Sequence, residues 1–135
     1  MIPKILFVCT HNSCRSQIAE GLLRHFRGDQ YEVFSAGAEK THVKPGAIET
    51  MAEIGIDISG QSSKTVASLS EEKFALAITV CDSAQQTCSP FLGNCDDRAH
   101  WPFFDPSTVQ GTDDEIKAAF RKTRNEIKSK ILASL

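Results

Sequence analysis

Lys4-Ile5-Leu6-Phe7-Val8-Cys9-Thr10-His11-Asn12-Ser13-Cys14-Arg15-Ser16 lies near the amino end of the chain and decides how it is read. Ile5 to Cys9 is a continuous apolar run, the pattern of a strand buried on both faces of a parallel sheet. A polar loop, Thr10 to Arg15, follows. Ser16 to Arg27 then carries Ile18, Ala19, Leu22, Leu23 and Phe26 at helical spacing, with Gly28 at its end. Strand, loop and helix in that order set backbone N–H groups and the positive end of a helix dipole around one point, an arrangement suited to an anion. Arg15 adds a guanidinium fork that matches a tetrahedral oxyanion. The same field is expected to lower the pKa of Cys9 and to yield a thiolate at neutral pH. Ser16 can donate to that thiolate, and Asn12 can hold the loop through its amide. The bland alternative, a structural Cys9 beside a surface Arg15, explains less of this context.

Outward from this stretch the chain alternates. Tyr31 to Ser35 reads as a second strand closed by Ala36-Gly37. Pro45 sits where a helix begins, with Ala47, Ile48, Met51, Ala52 and Ile54 as its apolar face up to Gly55. Ile56-Asp57-Ile58 reads as a short extended piece before a serine-rich loop. Phe74 to Val80 is a third strand, Asp82 to Thr87 a short helix or mobile loop, and Arg98 to Trp101 a short edge strand. Asp113 to Leu135 is a long helix, with Ile116, Phe120, Ile127, Ile131 and Leu135 roughly on one side. Strands alternating with helices imply one parallel sheet with helices on both faces, joined by right-handed crossovers. Ligands of such folds gather at the carboxyl ends of the strands, where Cys9 and Cys81 both fall.

The 135 residues amount to one domain, with 41% hydrophobic and 24% charged residues and a formal net charge of -2. No basic surface is expected to draw the protein to nucleic acid or to anionic lipid. The five-residue run Ile5 to Cys9 is too short for a signal-peptide core or a membrane span. A cytoplasmic, monomeric protein is expected. The five cysteines, Cys9, Cys14, Cys81, Cys88 and Cys95, are odd in number and point away from a static disulfide framework. They are left as catalytic, redox-active, metal-binding or buried.

Val8 to Gly21 resembles the signature loop of the low-molecular-weight protein tyrosine phosphatases, and more closely that of their thioredoxin-coupled arsenate reductase relatives. The resemblance extends over Ser35-Ala36-Gly37, Gly55-Ile56-Asp57-Ile58-Ser59, the Cys81/Cys88 pair, Trp101, Asp105-Pro106 and Gln110-Gly111-Thr112. It implies a three-layer α/β/α fold with a four-stranded parallel sheet, and no cofactor. It implies an oxyanion-binding loop of Thr10, His11, Asn12, Ser13, Cys14, Arg15 and Ser16. Cys9 would be the nucleophile, Arg15 the oxyanion clamp, and Asp105 the general acid on a loop over the cradle.

The cysteines bear on which branch of the family applies. A phosphatase needs one thiol, whereas a reductase must supply two electrons through a relay. The resemblance implies that Cys9 attacks arsenate, that Cys81 attacks Cys9 to release arsenite, and that Cys88 attacks Cys81, leaving a disulfide for thioredoxin. That sequence requires the 82–88 segment to move. A glutathione–glutaredoxin route can use the same cradle. Tyrosine phosphatases of this family usually carry tyrosines after Asp-Pro, where this chain has Ser107-Thr108. An aromatic wall for an aryl substrate is left to Phe103 and Phe104. The alternatives are therefore an aryl phosphatase or, from another class, a thiol redox or zinc-binding module without turnover.

Some of these reductases hold a potassium ion beside the loop, and Asn12, Glu20, Ser35 and Ser62 match most of that set. Lys64 stands where an aspartate would complete it. Its ammonium is expected to take the cation's place and fix the loop with its own charge, so that no potassium is required, the bland alternative being a solvated lysine; Ser16 is a further loop-supporting residue. No bound metal is expected, since the histidines lack ligand spacing and the best zinc set is only Cys88, Cys95 and His100. Cys95 reads as a bystander or an alternative resolving thiol. Cys14 reads as a packing residue, or as a thiol protecting Cys9 from over-oxidation.

Overall fold

The computed structural model describes residues 2–81 and 95–135, with the backbone alone at Cys81. Among these residues the chain runs β1 (Lys4–Cys9), α1 (Arg15–Arg27), β2 (Glu32–Gly37), α2 (Pro45–Ala52), β3 (Phe74–Cys81), β4 (Cys95–Phe103) and α3 (Asp113–Ser134). Two short 3₁₀ turns, Val66–Leu69 and Pro106–Thr108, complete it. The strands form one parallel sheet in the order β2-β1-β3-β4. The architecture is three-layer α/β/α. No helix among the described residues is long and apolar enough to cross a membrane.

β1 is central, and every residue from Ile5 to Cys9 is buried, as its unbroken apolar run requires of a strand covered on both faces. α1 lays Ile18, Ala19, Leu22 and Leu23 into the same core, and α3 adds Phe120, Ile127 and Ile131. Thr112 and Glu115 close a capping box at the start of α3, with three acidic residues in its first turn.

Several boundaries differ from those read in the sequence. β2 continues through Ala36-Gly37, because Gly37 still pairs with Cys9 in the ladder. α2 stops at Ala52, before a turn whose Gly55 has φ 80. Ile56 and Ile58 are buried without strand pairing, and Asp57 Oδ1 instead accepts from the Ser59 amide and hydroxyl. β4 spans nine residues rather than the four expected. It is an edge strand, which is why Pro102 is tolerated, and the ladder slips there: Thr79 pairs with His100 but Cys81 with Phe103. The expected helix or loop at 82–87 lies outside the described residues.

Gly37 decides how closely β2 approaches the loop after β1. A Cβ there would lie 2.7 Å from the Asn12 nitrogen, 2.7 Å from the Cys9 oxygen and 2.8 Å from the Thr10 oxygen. All three are backbone atoms that cannot swing aside. Gly37→Ala is expected to destabilise the fold by about 1–3 kcal/mol, the range for overpacking, and to weaken anion binding at the loop. Denaturant unfolding with a phosphate titration checks this. Unchanged values in both would show that the loop yields freely.

Candidate active site

The loop from Thr10 to Cys14 is held by its carbonyl groups. Thr10 O accepts from the Glu39 amide (3.1 Å), Ser13 O from the Lys44 amide (2.8 Å) and Cys14 O from the Ile18 amide (2.9 Å). His11 O accepts from the hydroxyls of Thr41 (3.0 Å) and Ser63 (3.1 Å), and Asn12 O from Gln17 Nε2 (2.9 Å). A trans peptide sends its C=O and the next N–H in opposite directions. With these carbonyls turned outward, the amides from His11 to Arg15 turn inward. The ring is completed by Asn12 at φ 49, a left-handed conformation that asparagine tolerates. The amino end of α1 has neither a side-chain cap nor an acidic residue in its first turn, so its positive pole is left to the loop interior.

Buried hydrogen bonds brace the ring from behind. Asn12 Nδ2 donates to Ser16 Oγ (2.9 Å) and to Ser35 Oγ (2.9 Å), and Asn12 Oδ1 accepts from the Lys64 amide (2.8 Å). Ser35 in turn donates to Glu20 Oε1. Glu20 forms an ion pair with Arg24 at 2.7 Å.

Arg15 is buried at the first residue of α1 and reaches across to the end of β4. Nη1 donates to Phe103 O at 3.0 Å, and Nη2 lies 3.5 Å from Asp105 Oδ2. The other carboxylate oxygen of Asp105 accepts from the amide (3.0 Å) and hydroxyl (2.6 Å) of Ser107. That turn fixes the carboxyl and leaves Oδ2 toward Arg15. Phe103 is buried, while Phe104, between the two contacts, is 51% exposed, so Phe104 alone of that pair presents an aromatic surface.

Cys9 and Cys14 are both buried. Burial pushes the Cys9 thiol above its ordinary value, outweighing the pull of Arg15 and of amide hydrogen bonds from Thr10 and His11. Asp105 adds to the upward push. This corrects the expected lowering: the sulfur is buried, and Arg15 already faces a carboxylate. Burial likewise raises the Cys14 thiol.

Other expected residues fall as follows. The His11 side chain is half exposed and lies 3.8 Å from Glu39, so its contribution to the loop is through its backbone. Ser62 is exposed, and it is its carbonyl that accepts, from Gln17 Nε2 and Lys64 Nζ. Lys64 braces the loop by its amide, but its ammonium does not take a cation's place beside Glu20. The cation there is the Arg24 guanidinium. Cys81 ends β3 on the same sheet edge as Cys9: Val8 pairs with Thr79, which sets Cys9 beside Val80 and Cys81 one residue on. Cys88 lies outside the described residues. Cys95 pairs with Phe74 at the opposite end of the sheet, about 23 Å of strand away from Cys81. Arg98 Nε lies 3.3 Å from its sulfur. Cys95 and His100 are separated by about 16 Å along one strand, too far to share a zinc ion, and no group of three metal-ligating side chains occurs among the described residues.

Four contributors were not foreseen: Gln17, Thr41, Ser63 and Arg24. Ser63 is buried next to the exposed Ser62, a distinction that an irregular segment does not encode in its sequence pattern.

The raised Cys9 pKa has a testable consequence. Alkylation of Cys9 by iodoacetamide is expected to rise with pH up to and beyond the ordinary thiol value of about 8.5, without a plateau near neutrality. Phosphate is expected to protect it. A rate that levels off below pH 7 would mean a thiolate in the resting enzyme.

The family described as low molecular weight phosphotyrosine protein phosphatase matches residues 4–134. The chain is 46% identical to the arsenate reductase of Halalkalibacterium halodurans and 42% identical to that of Bacillus subtilis, each over 127 residues, covering 94% of this chain and 91% of the relative. A solved arsenate reductase in its phosphate-binding state superposes with a TM-score of 0.80 at 32% identity, covering 98% of this chain and 95% of that one. The chain belongs to the low-molecular-weight phosphotyrosine protein phosphatase family, and these relatives, similar over nearly its whole length, are arsenate reductases.

Proposed function

We propose that the protein reduces arsenate to arsenite, with Cys9 as nucleophile and a thiol relay through Cys81 and Cys88 that thioredoxin regenerates. The observation that carries this reading is the ring of inward amides around Cys9, closed by Arg15 and faced by Asp105. It is a cradle for a tetrahedral oxyanion over a nucleophilic sulfur. Its likeness to named arsenate reductases selects arsenate over a phosphoester.

The chemistry follows from the groups present. Amides and Arg15 hold the oxygens of the arsenate dianion, and the Cys9 proton passes to one of them. This step suits a thiol that burial keeps protonated until the substrate arrives. Ser16 already accepts from Asn12, which leaves its own proton to steady the sulfur. The sulfur pair forms the S–As bond as an As–O bond breaks, and Asp105, which takes up a proton from solvent as the anion draws Arg15 away from it, passes that proton to the departing oxygen, which leaves as water. The Cys81 thiolate then attacks the Cys9 sulfur. The S–S bond forms, the S–As bond breaks, and its electron pair stays on arsenic, which leaves as arsenite. Cys88 attacks Cys81 and expels the Cys9 thiolate, and thioredoxin supplies two electrons to the Cys81–Cys88 disulfide. A reducing cytoplasm is the setting for this cycle, with the protein acting as a monomer.

A weaker second activity is supported by Phe104, an exposed aromatic ring next to Asp105. It offers a surface for the ring of an aryl phosphate, which the same cradle hydrolyses through a Cys9 phosphoryl adduct.

With thioredoxin, thioredoxin reductase and NADPH present, arsenate is expected to start sustained NADPH oxidation. Cys9→Ser abolishes it, and Cys88→Ser ends it after one turnover while keeping aryl-phosphate hydrolysis. Cys95→Ser leaves both intact, and Asp105→Asn slows both by about 10²–10⁴-fold, the range for one general acid. Ready hydrolysis of an aryl phosphate without NADPH oxidation would make the protein a phosphatase.

A further inference from the structure

We infer that Arg24 is a positioning residue that sets the affinity of the cradle for its oxyanion, acting through Glu20, Ser35 and Asn12. The inference rests on the reading of the loop as an oxyanion site. Arg24 lies nine residues beyond Arg15 on α1, roughly 13 Å along the helix, so it does not touch the anion.

The path is polar and has one direction. Glu20 is 4% exposed, and its carboxylate only accepts: from Arg24 Nη2 at 2.7 Å and from the Ser35 hydroxyl. The Ser35 proton is thereby committed to Glu20, and its oxygen is free to accept from Asn12 Nδ2. Asn12 spends its second amide hydrogen on Ser16 and its carbonyl on the Lys64 amide. Those three bonds hold Asn12 at φ 49, the left-handed turn that closes the ring. Each member fixes the hydrogen of the next, so orientation at the loop depends on Glu20 remaining a firmly held acceptor.

Arg24 holds it there. It is fixed itself, donating to Val33 O at 2.8 Å and to Gln61 Oε1 at 3.3 Å. A buried carboxylate without a partner either takes up a proton or shifts toward water. A protonated Glu20 becomes a donor and reverses the order at Ser35. An unpaired Glu20 sets a negative charge two hydrogen bonds from a site that must bind an anion. Either outcome weakens the cradle while leaving Cys9, Arg15 and Asp105 in place. The affected quantity is anion affinity more than the chemical step.

Titration calorimetry with inorganic phosphate tests this directly. Arg24→Met is expected to raise the Kd about tenfold, as for loss of one charge-assisted hydrogen bond. Arg24→Lys, which keeps the ion pair but forfeits the fork to Val33 and Gln61, is expected to stay within about threefold of the unaltered protein. Glu20→Gln breaks the same link from its other side and is expected to match Arg24→Met, which covers the case where Arg24→Met does not fold. In arsenate turnover, KM is expected to rise by the same factor, with kcat changed less than about twofold. Folded Arg24→Met or Glu20→Gln that binds phosphate as tightly as the unaltered protein would overturn the inference, whatever its loss of thermal stability. So would an Arg24→Lys as weak as Arg24→Met. If the unaltered protein binds no phosphate, the reading of the cradle falls, and this inference with it.

Discussion

A peptide group cannot turn its oxygen and its hydrogen to the same side, and the site depends on that constraint. From Thr10 to Cys14 each carbonyl is engaged from outside the loop, by Glu39, Thr41, Ser63, Gln17, Lys44 and Ile18. The inward amides are the consequence. The anion-binding character of the loop is therefore made by its surroundings: the segment after β2, the serine-rich stretch before β3, and a glutamine on α1. Gly37 belongs to the same arrangement, since only a residue without a Cβ lets β2 come so close behind the ring.

Arg15 links this ring to the far edge of the sheet. Its guanidinium spans from the start of α1 to the end of β4, holding Phe103 O and facing Asp105. One side chain thus ties the loop after β1 to the turn that carries Asp105. It also shapes the electrostatics of the resting state. Because Arg15 shares its charge with Asp105, its pull on Cys9 does not outweigh the burial of the sulfur.

Much of this was legible in the chain because it is local. The apolar run Ile5 to Cys9 can only be a strand buried on both faces. A polar loop followed by a helical stripe sets Cys9 and Arg15 at the two ends of the loop between β1 and α1, and the apolar side of 113–135 marks the helix that is α3. The reach of β4 was less legible, because Asp96, Asp97 and Pro102 do not read as strand residues. An edge strand tolerates them, since one face of its ladder has no partner to satisfy.

The partner of Glu20 shows where sequence stops and tertiary structure takes over. Lys64 and Arg24 are both cations within reach of the loop by sequence, and Lys64 occupies the position where a charge is expected. Spacing offers both, since Arg24 stands four residues after Glu20 on the same helix and Lys64 matches the position the resemblance gives to a charge. The fold decides: the i,i+4 step on α1 puts Arg24 beside Glu20, with Val33 O and Gln61 Oε1 as further acceptors. Lys64 instead follows its own backbone back to Ser62. Element type and the polar loop that joins β1 to α1 come from patterns a few residues long, and so the sequence by itself determined them. Which way the peptides face, how far burial raises the thiol and which cation meets the buried carboxylate depend on groups brought together from β2, β4 and the 61–65 segment, and only the tertiary structure decided them.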